Sequence, residues 1–152
     1  MPRASWTTRS PSESLRAEGK LDDALALLPA IIRAQNASAE LRAGSFLLGG
    51  NIMKKKMDDA TDPKQKEEFR GQAIDFYTKI AQFYSGVPLA AAEGLWQGGQ
   101  LLEEQAGASA DPKFKTQQLN RAKESYKQLV KDYPDSQFAA KAKERLTALG
   151  PP

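Results

Sequence analysis

The side chains able to do chemistry are few, and they do not converge. The 152 residues contain no Cys and no His, which removes thiolate nucleophiles, disulfides, Cys/His zinc sites and histidine acid–base catalysis. Carboxylates remain in three adjacent pairs, Asp22-Asp23, Asp58-Asp59 and Glu103-Glu104. An acid and a base must face one substrate, whereas neighbours on a helix point about 100° apart. There is no G-x-G-x-x-G turn, no phosphate-binding P-loop, no G-x-S-x-G elbow and no calcium-loop pattern. These residues predict a protein that is not an enzyme and needs neither metal nor cofactor.

The charges are mixed rather than segregated. Twenty-two Lys and Arg stand against 19 Asp and Glu, a net charge of +3. A nucleic-acid binder concentrates its excess on one face. The longest basic run, Lys54-Lys55-Lys56, falls near an expected helix end, where cations complement the negative pole of the helix. Lys64, Lys66, Lys113 and Lys115 could extend it, but Asp58, Asp59, Glu67 and Glu68 dilute that surface. Nucleic acid is therefore not the expected partner. No apolar stretch approaches the ~20 residues of a membrane span, and Met1-Pro2-Arg3-Ala4-Ser5-Trp6 lacks the apolar segment of a signal peptide.

The elements that position these residues follow from an internal period. Shifting the chain by 49 residues places Asp62-Pro63-Lys64 on Asp111-Pro112-Lys113, Gly49-Gly50 on Gly98-Gly99, Lys66 on Lys115 and Ala43 on Ala92. Ala24, Ala73 and Ala122 form a three-member series, each opening an apolar run. A fixed period across several features marks a tandem repeat.

Each repeat reads as helical. Phe69, Ala73, Phe76, Tyr77, Ile80, Phe83 and Tyr84 recur three and four apart, as do Leu119, Ala122, Tyr126, Leu129, Val130 and Tyr133. Asp62 and Asp111 suit N-caps, with Pro63 and Pro112 in the first turn, where a missing N–H costs nothing. Ser10-Pro11-Ser12-Glu13 predicts an earlier helix start; Gly19 is expected to interrupt that helix and Pro29 to kink it. Partner helices are expected over Ser38–Met57, Pro88–Gln105 and Ser136–Leu149, and no segment alternates with the period of a strand. The predicted fold is all-α, a single α-solenoid over residues 1–152 built of antiparallel helix pairs, with a repeat register of 10–57, 58–106 and 107–152. Two adjacent mid-helix glycines, each costing about 1 kcal/mol against Ala, call for close helix approach. The expected partners of Gly49 and Gly98 are Ala73 and Ala122.

Arg121 through Ser136, with Ala122, Tyr126 and Pro134, followed by Ala139, Ala142, Arg145, Leu146 and Leu149, resembles the second half of a tetratricopeptide repeat. Tyr133-Pro134-Asp135-Ser136 with the spaced alanines is similar in particular to bacterial envelope members, of the Tol-Pal-associated coordinator and outer-membrane assembly lipoprotein types. Gly19-Lys20-Leu21-Asp22-Asp23-Ala24-Leu25 resembles another inter-helix turn. The pattern covers nearly the whole chain and is specific around residues 119–149. It departs from the family in its period, 49 rather than about 34, and in its reduced Trp and Leu-Gly signature.

The resemblance implies a scaffold or adaptor whose concave groove, lined by the first helix of each pair, takes a peptide or helix of a partner protein, and it favours the bacterial periplasm or envelope. Arg42, Phe46, Met53, Leu95, Trp96 and Gln100 are the candidate partner-binding residues. For Trp96 and Phe46 a role as core filler between repeats is the alternative. A structural, self-associating solenoid is the second reading: Leu15, Leu21, Leu25, Leu28 and Ile32 of the first helix are expected to be covered on one side only, unless Met1–Thr8 with Trp6, residues upstream in a longer chain, or another copy covers them. The C-terminal helix is mostly polar, as a solubilising cap should be.

Overall fold

The computed structural model describes residues 11–150, with side-chain environments from Gly19 onward. Trp6, the cap at Ser10 and the side chains of Glu13 and Leu15 lie outside the described residues. Six helices follow in order: α1 (Pro11–Arg33), α2 (Ala39–Asp59), α3 (Pro63–Phe83), α4 (Pro88–Ala108), α5 (Pro112–Asp132) and α6 (Ala139–Leu149). No strand occurs among the described residues. Each helix packs against the next, and α2 also touches α4, which makes an all-α solenoid-like repeat.

The period is visible in the backbone. Helices α2 through α5 are each 21 residues long, about 30 Å. Starts at Ala39 and Pro88, and at Pro63 and Pro112, differ by 49 residues. Side-chain capping fixes three of these starts. The Asp62 carboxylate accepts from the Gln65 N–H (3.3 Å) and that of Asp111 from the Lys113 N–H (3.1 Å), each followed by a proline. Ser38 caps α2 by accepting from the Leu41 N–H at 3.0 Å. At the far end Gly150, with φ of 81°, takes the left-handed conformation and closes α6 by donating to the Leu146 carbonyl at 3.1 Å. Helix α1 runs without interruption through Gly19 and contains Pro29 in its last turns.

Burial repeats at the same interval. Ala73 and Ala122, Tyr77 and Tyr126, and Ile80 and Leu129 are fully buried pairs one period apart; Ile52 and Leu101, and Met53 and Leu102, are buried counterparts on the first helices. Each fully buried aliphatic side chain of this kind stabilises the fold by roughly 1.5–3 kcal/mol. The glycine doublets make these contacts possible, but not against alanine. A Cβ on Gly50 would stand 2.5 Å from the ring of Tyr77, and one on Gly99 would stand 2.5 Å from the ring of Tyr126. Gly49 lies under Phe76, while Gly98 faces Thr78 and Tyr77 on the preceding helix. The expected partners Ala73 and Ala122 are thus replaced by the large residues beside them: the doublet makes room for a tyrosine ring rather than for close backbones.

Candidate partner-binding site

The six residues expected to line a groove are not brought together on an open surface. Met53 is 2% exposed, Leu95 3% and Trp96 7%, so all three belong to the core. Trp96 packs against Tyr126 (ring centroids 5.6 Å apart) and is stacked on Phe138 at 6.1 Å. Phe46 is half-buried against Phe76 and Tyr84, at 6.1 and 5.6 Å. One terminal nitrogen of Arg42 donates to the Ala34 carbonyl at 2.9 Å, closing the α1–α2 turn. Gln100 is half-buried on α4.

The physical reason is that α4 has four neighbours, α2, α3, α5 and α6. Its Gly94 and Gly98 face α3, its Gly99 faces α5, and its Trp96 and Glu103 reach α6. Apolar residues off the first packing stripe of such a helix lie on a second one. First helices also touch directly: the Lys54 ammonium donates to the Gln97 amide oxygen at 3.0 Å across the α2–α4 seam. The lysine run is likewise divided. Lys55 pairs with Asp59 on its own helix, and Lys56 reaches Asp22 on α1 while lying 5.0 Å from the centre of the Phe69 ring. Three adjacent cations so directed do not present one phosphate-binding surface.

The open apolar site lies elsewhere, at the end of the stack that carries the α3–α4 and α5–α6 turns. Pro88 and Leu89 of α4, Tyr133 and Pro134 of the α5–α6 turn, and Phe138 line a cleft of about 550 Å3. Leu89, in the first turn of α4, is 88% exposed. Two features hold the walls. The Tyr133 hydroxyl donates to the Ser85 carbonyl at 2.8 Å, tying one turn to the other, and the Ser136 hydroxyl oxygen accepts from the Phe138 N–H at 3.1 Å. Burial pushes the Tyr133 pKa up, with the Asp132 carboxylate adding to the shift, so this hydroxyl keeps its proton as a donor.

The rim is acidic. Glu93, Asp132 and Asp135 line the same cleft, and none of them forms an ion pair among the described residues. Helix α4 starts at Val87 without a side-chain cap, which leaves first-turn N–H groups open beside Leu89. The site therefore combines an apolar floor, three carboxylates without an ion pair among the described residues, and main-chain donors.

A second cavity, about 580 Å3, opens at the opposite end between Pro63, Lys64, Lys66, Phe114 and the buried Arg70. Some of its polar groups are matched to one another, although the buried Arg70 Nε has no hydrogen-bond partner among the described residues. Arg70 pairs with Glu67, the Gln105 amide donates to Glu67 at 3.2 Å, Gln118 donates to Gln105, and Arg121 donates to Gln118 at 3.5 Å. This chain of bonds ties α3, α4 and α5 together. Among the described residues no group of acidic side chains gathers as a metal site would require, and no helix is long and apolar enough to cross a membrane.

No family model, curated protein or solved structure matches the chain. The sequence did carry one trace of the cleft. Leu89 is an isolated large apolar residue beside a helix-starting proline, and Tyr133-Pro134-Asp135 is a helix stop containing an aromatic residue. What it lacked was the adjacency of two turns 49 residues apart.

Proposed function

We propose that the chain is a non-catalytic scaffold that receives a short, positively charged segment of a partner protein in the Leu89 cleft. One observation carries this reading: a leucine almost wholly in solvent at the mouth of an apolar cleft whose three rim carboxylates form no ion pair among the described residues. A partner leucine or aromatic side chain would cover Leu89 and Phe138, with lysine or arginine meeting Glu93, Asp132 and Asp135. Its main-chain carbonyls can accept from the first turn of α4. Rim charges of this kind set association rate and salt dependence more than affinity, which the apolar anchor supplies.

The tetratricopeptide-like pattern around residues 119–149 supports the scaffold class, and it alone supports an envelope location. The reading leaves out catalysis, because the two hydroxyls that line the cleft are engaged by the main chain, Tyr133 at the Ser85 carbonyl and Ser136 at the Phe138 N–H. It leaves out nucleic acid as well, because the lysine run is divided between α1, α2 and α4. Selection from a random peptide display library on the full chain tests it. Enriched peptides should carry an apolar residue flanked by Lys or Arg, and Leu89→Asp should weaken them at least tenfold while leaving helicity intact. Enriched peptides indifferent to both Leu89→Asp and Asp135→Lys would overturn it.

A further inference from the structure

Arg70 of α3 is a cation in an apolar seat. One period earlier the repeat places Leu21 on α1, and one period later Leu119 on α5, both half-buried. Leu25 and Ile32, expected with Leu21 to be covered on one side only, are likewise half-buried, and Leu28 is buried. Arg70 itself is only 8% exposed. Among the described residues its guanidinium, with five N–H donors, makes one hydrogen bond, to Glu67; Nε makes none, and the Glu104 carboxylate stands 3.9 Å from it. The repeat satisfies another covered cation more fully, since Lys56 has both the Asp22 carboxylate and the Phe69 ring. Burying a guanidinium with most of its donors unused costs free energy that a leucine would not. A residue kept against the local plan of a fold marks a functional position.

The cavity that Arg70 lines carries a surplus of cations. Lys64 and Lys66 line it too, and neither ammonium forms an ion pair or a hydrogen bond among the described residues. Glu67 is the one carboxylate in the lining, and Arg70 and Gln105 already engage it. Beside the cations stands an apolar wall of Pro63, Ala108 and the half-buried Phe114. The volume of about 580 Å3 lies within the range of roughly 300–1,000 Å3 that small-molecule sites occupy. We propose that this cavity binds a small phosphate monoester with an apolar or aromatic body. The phosphate oxygens accept from the unused donors of Arg70 and from Lys66, with the exposed Lys64 at the mouth, and the body lies against Phe114. A phosphate monoester suits the site better than a single carboxylate, because its charge of about −1.5 to −2 at pH 7 matches the surplus and its three oxygens can meet three cations at once. The site lies at the opposite end of the stack from the Leu89 cleft and does not depend on it.

Calorimetric titration of the full chain with phenyl phosphate should give saturable binding with a Kd below about 1 mM. Arg70→Leu, which installs the residue of the other two copies, should weaken it at least tenfold while the melting midpoint holds or rises. Lys66→Gln should weaken it severalfold with no change in melting. Phe114→Ser should lower the affinity for phenyl phosphate and leave that for inorganic phosphate unchanged, and Leu89→Asp should alter neither. Should Arg70→Leu lower the melting midpoint, Lys66→Gln decides alone. The proposal is overturned by a Kd weaker than about 1 mM, or by binding indifferent to Lys66→Gln. Benzoate held as tightly as phenyl phosphate would overturn it in favour of a carboxylate site.

Discussion

The α2–α3 and α4–α5 pairs share one apolar plan and differ at its polar end. In the first, Tyr77 lies over Gly50 and its hydroxyl donates to the Asn51 amide oxygen of α2 at 2.5 Å. In the second, Tyr126 lies over Gly99, but its hydroxyl donates to the Glu103 carboxylate of α4 at 2.5 Å. Gln100, the residue one period after Asn51, leaves that role to Glu103. Glu103 in turn receives two bonds from Arg145 of α6, at 3.1 and 2.5 Å. That bidentate pair raises the Arg145 pKa, chiefly through the hydrogen bond to Glu103. The inner pair closes with a neutral bond. The outer pair uses a charge-assisted one, roughly twice as strong, to fasten the short terminal helix. Apolar packing is thus what the repeat conserves between its copies, and the polar contacts diverge according to what lies next to them.

The comparison can be broken most forcefully at the glycines. Gly99→Ala and Gly50→Ala each drive a methyl into a fully buried tyrosine ring and should each cost about 2–3 kcal/mol. Thermal melting checks this, and equal losses in the two copies are expected. A loss confined to one copy would show that the plan is not shared.

High pH provides the next test. Burial is the main cause pushing both tyrosines well above the ordinary phenol range; Glu93 and Asp58 add to it at Tyr77, and Glu103 at Tyr126, where Arg145 opposes. The folded state therefore holds these protons more tightly than the unfolded chain. Their contribution is complete below pH 10 and is lost as pH rises above it, by about 1.4 kcal/mol per pH unit for each tyrosine. Denaturant titrations between pH 10 and 12 should show that slope, and Tyr77→Phe or Tyr126→Phe should each reduce it by about 1.4 kcal/mol per pH unit.

Glu103→Gln separates the copies. It removes the charge that holds Arg145 and weakens the bond from Tyr126, so α6 should lose protection in hydrogen exchange and the chain about 1–2 kcal/mol. Asn51→Ala should leave α6 exchange unchanged. The smallest effect belongs to Gly98→Ala. The added methyl meets Thr78 at 3.3 Å and Tyr77 at 3.5 Å, and the helix-propensity gain of up to about 1 kcal/mol offsets the crowding. Melting should shift by no more than a few degrees.

Much of the fold was legible because it is written in local signals. Asp62-Pro63 and Asp111-Pro112 mark helix starts through their own backbone chemistry, and the 49-residue offset aligns features that need no partner to be recognised. Helix ends were less legible. α4 continues three residues past Gln105, through Gly107, because packing on α3 and α5 outweighs the weak propensity of glycine. The candidate site was the least legible part. Trp96 and Met53 have the pattern of groove residues only if first helices are covered on one flank, whereas α2 packs on α1, α3 and α4, and α4 on α2, α3, α5 and α6.

The amino-acid sequence by itself determined the helical class, the period, two of the caps and the absence of Cys and His chemistry, because each depends on residue type and spacing along one chain. Tertiary structure decided which apolar residues stay in solvent. Leu27, Phe76 and Ser125 occupy one register position, yet whether such a position is core or open is set by the helix that lies beside it. Leu89 is open for the same reason: the turns at Ser85 and Tyr133 meet across 48 residues and leave a cleft at their edge.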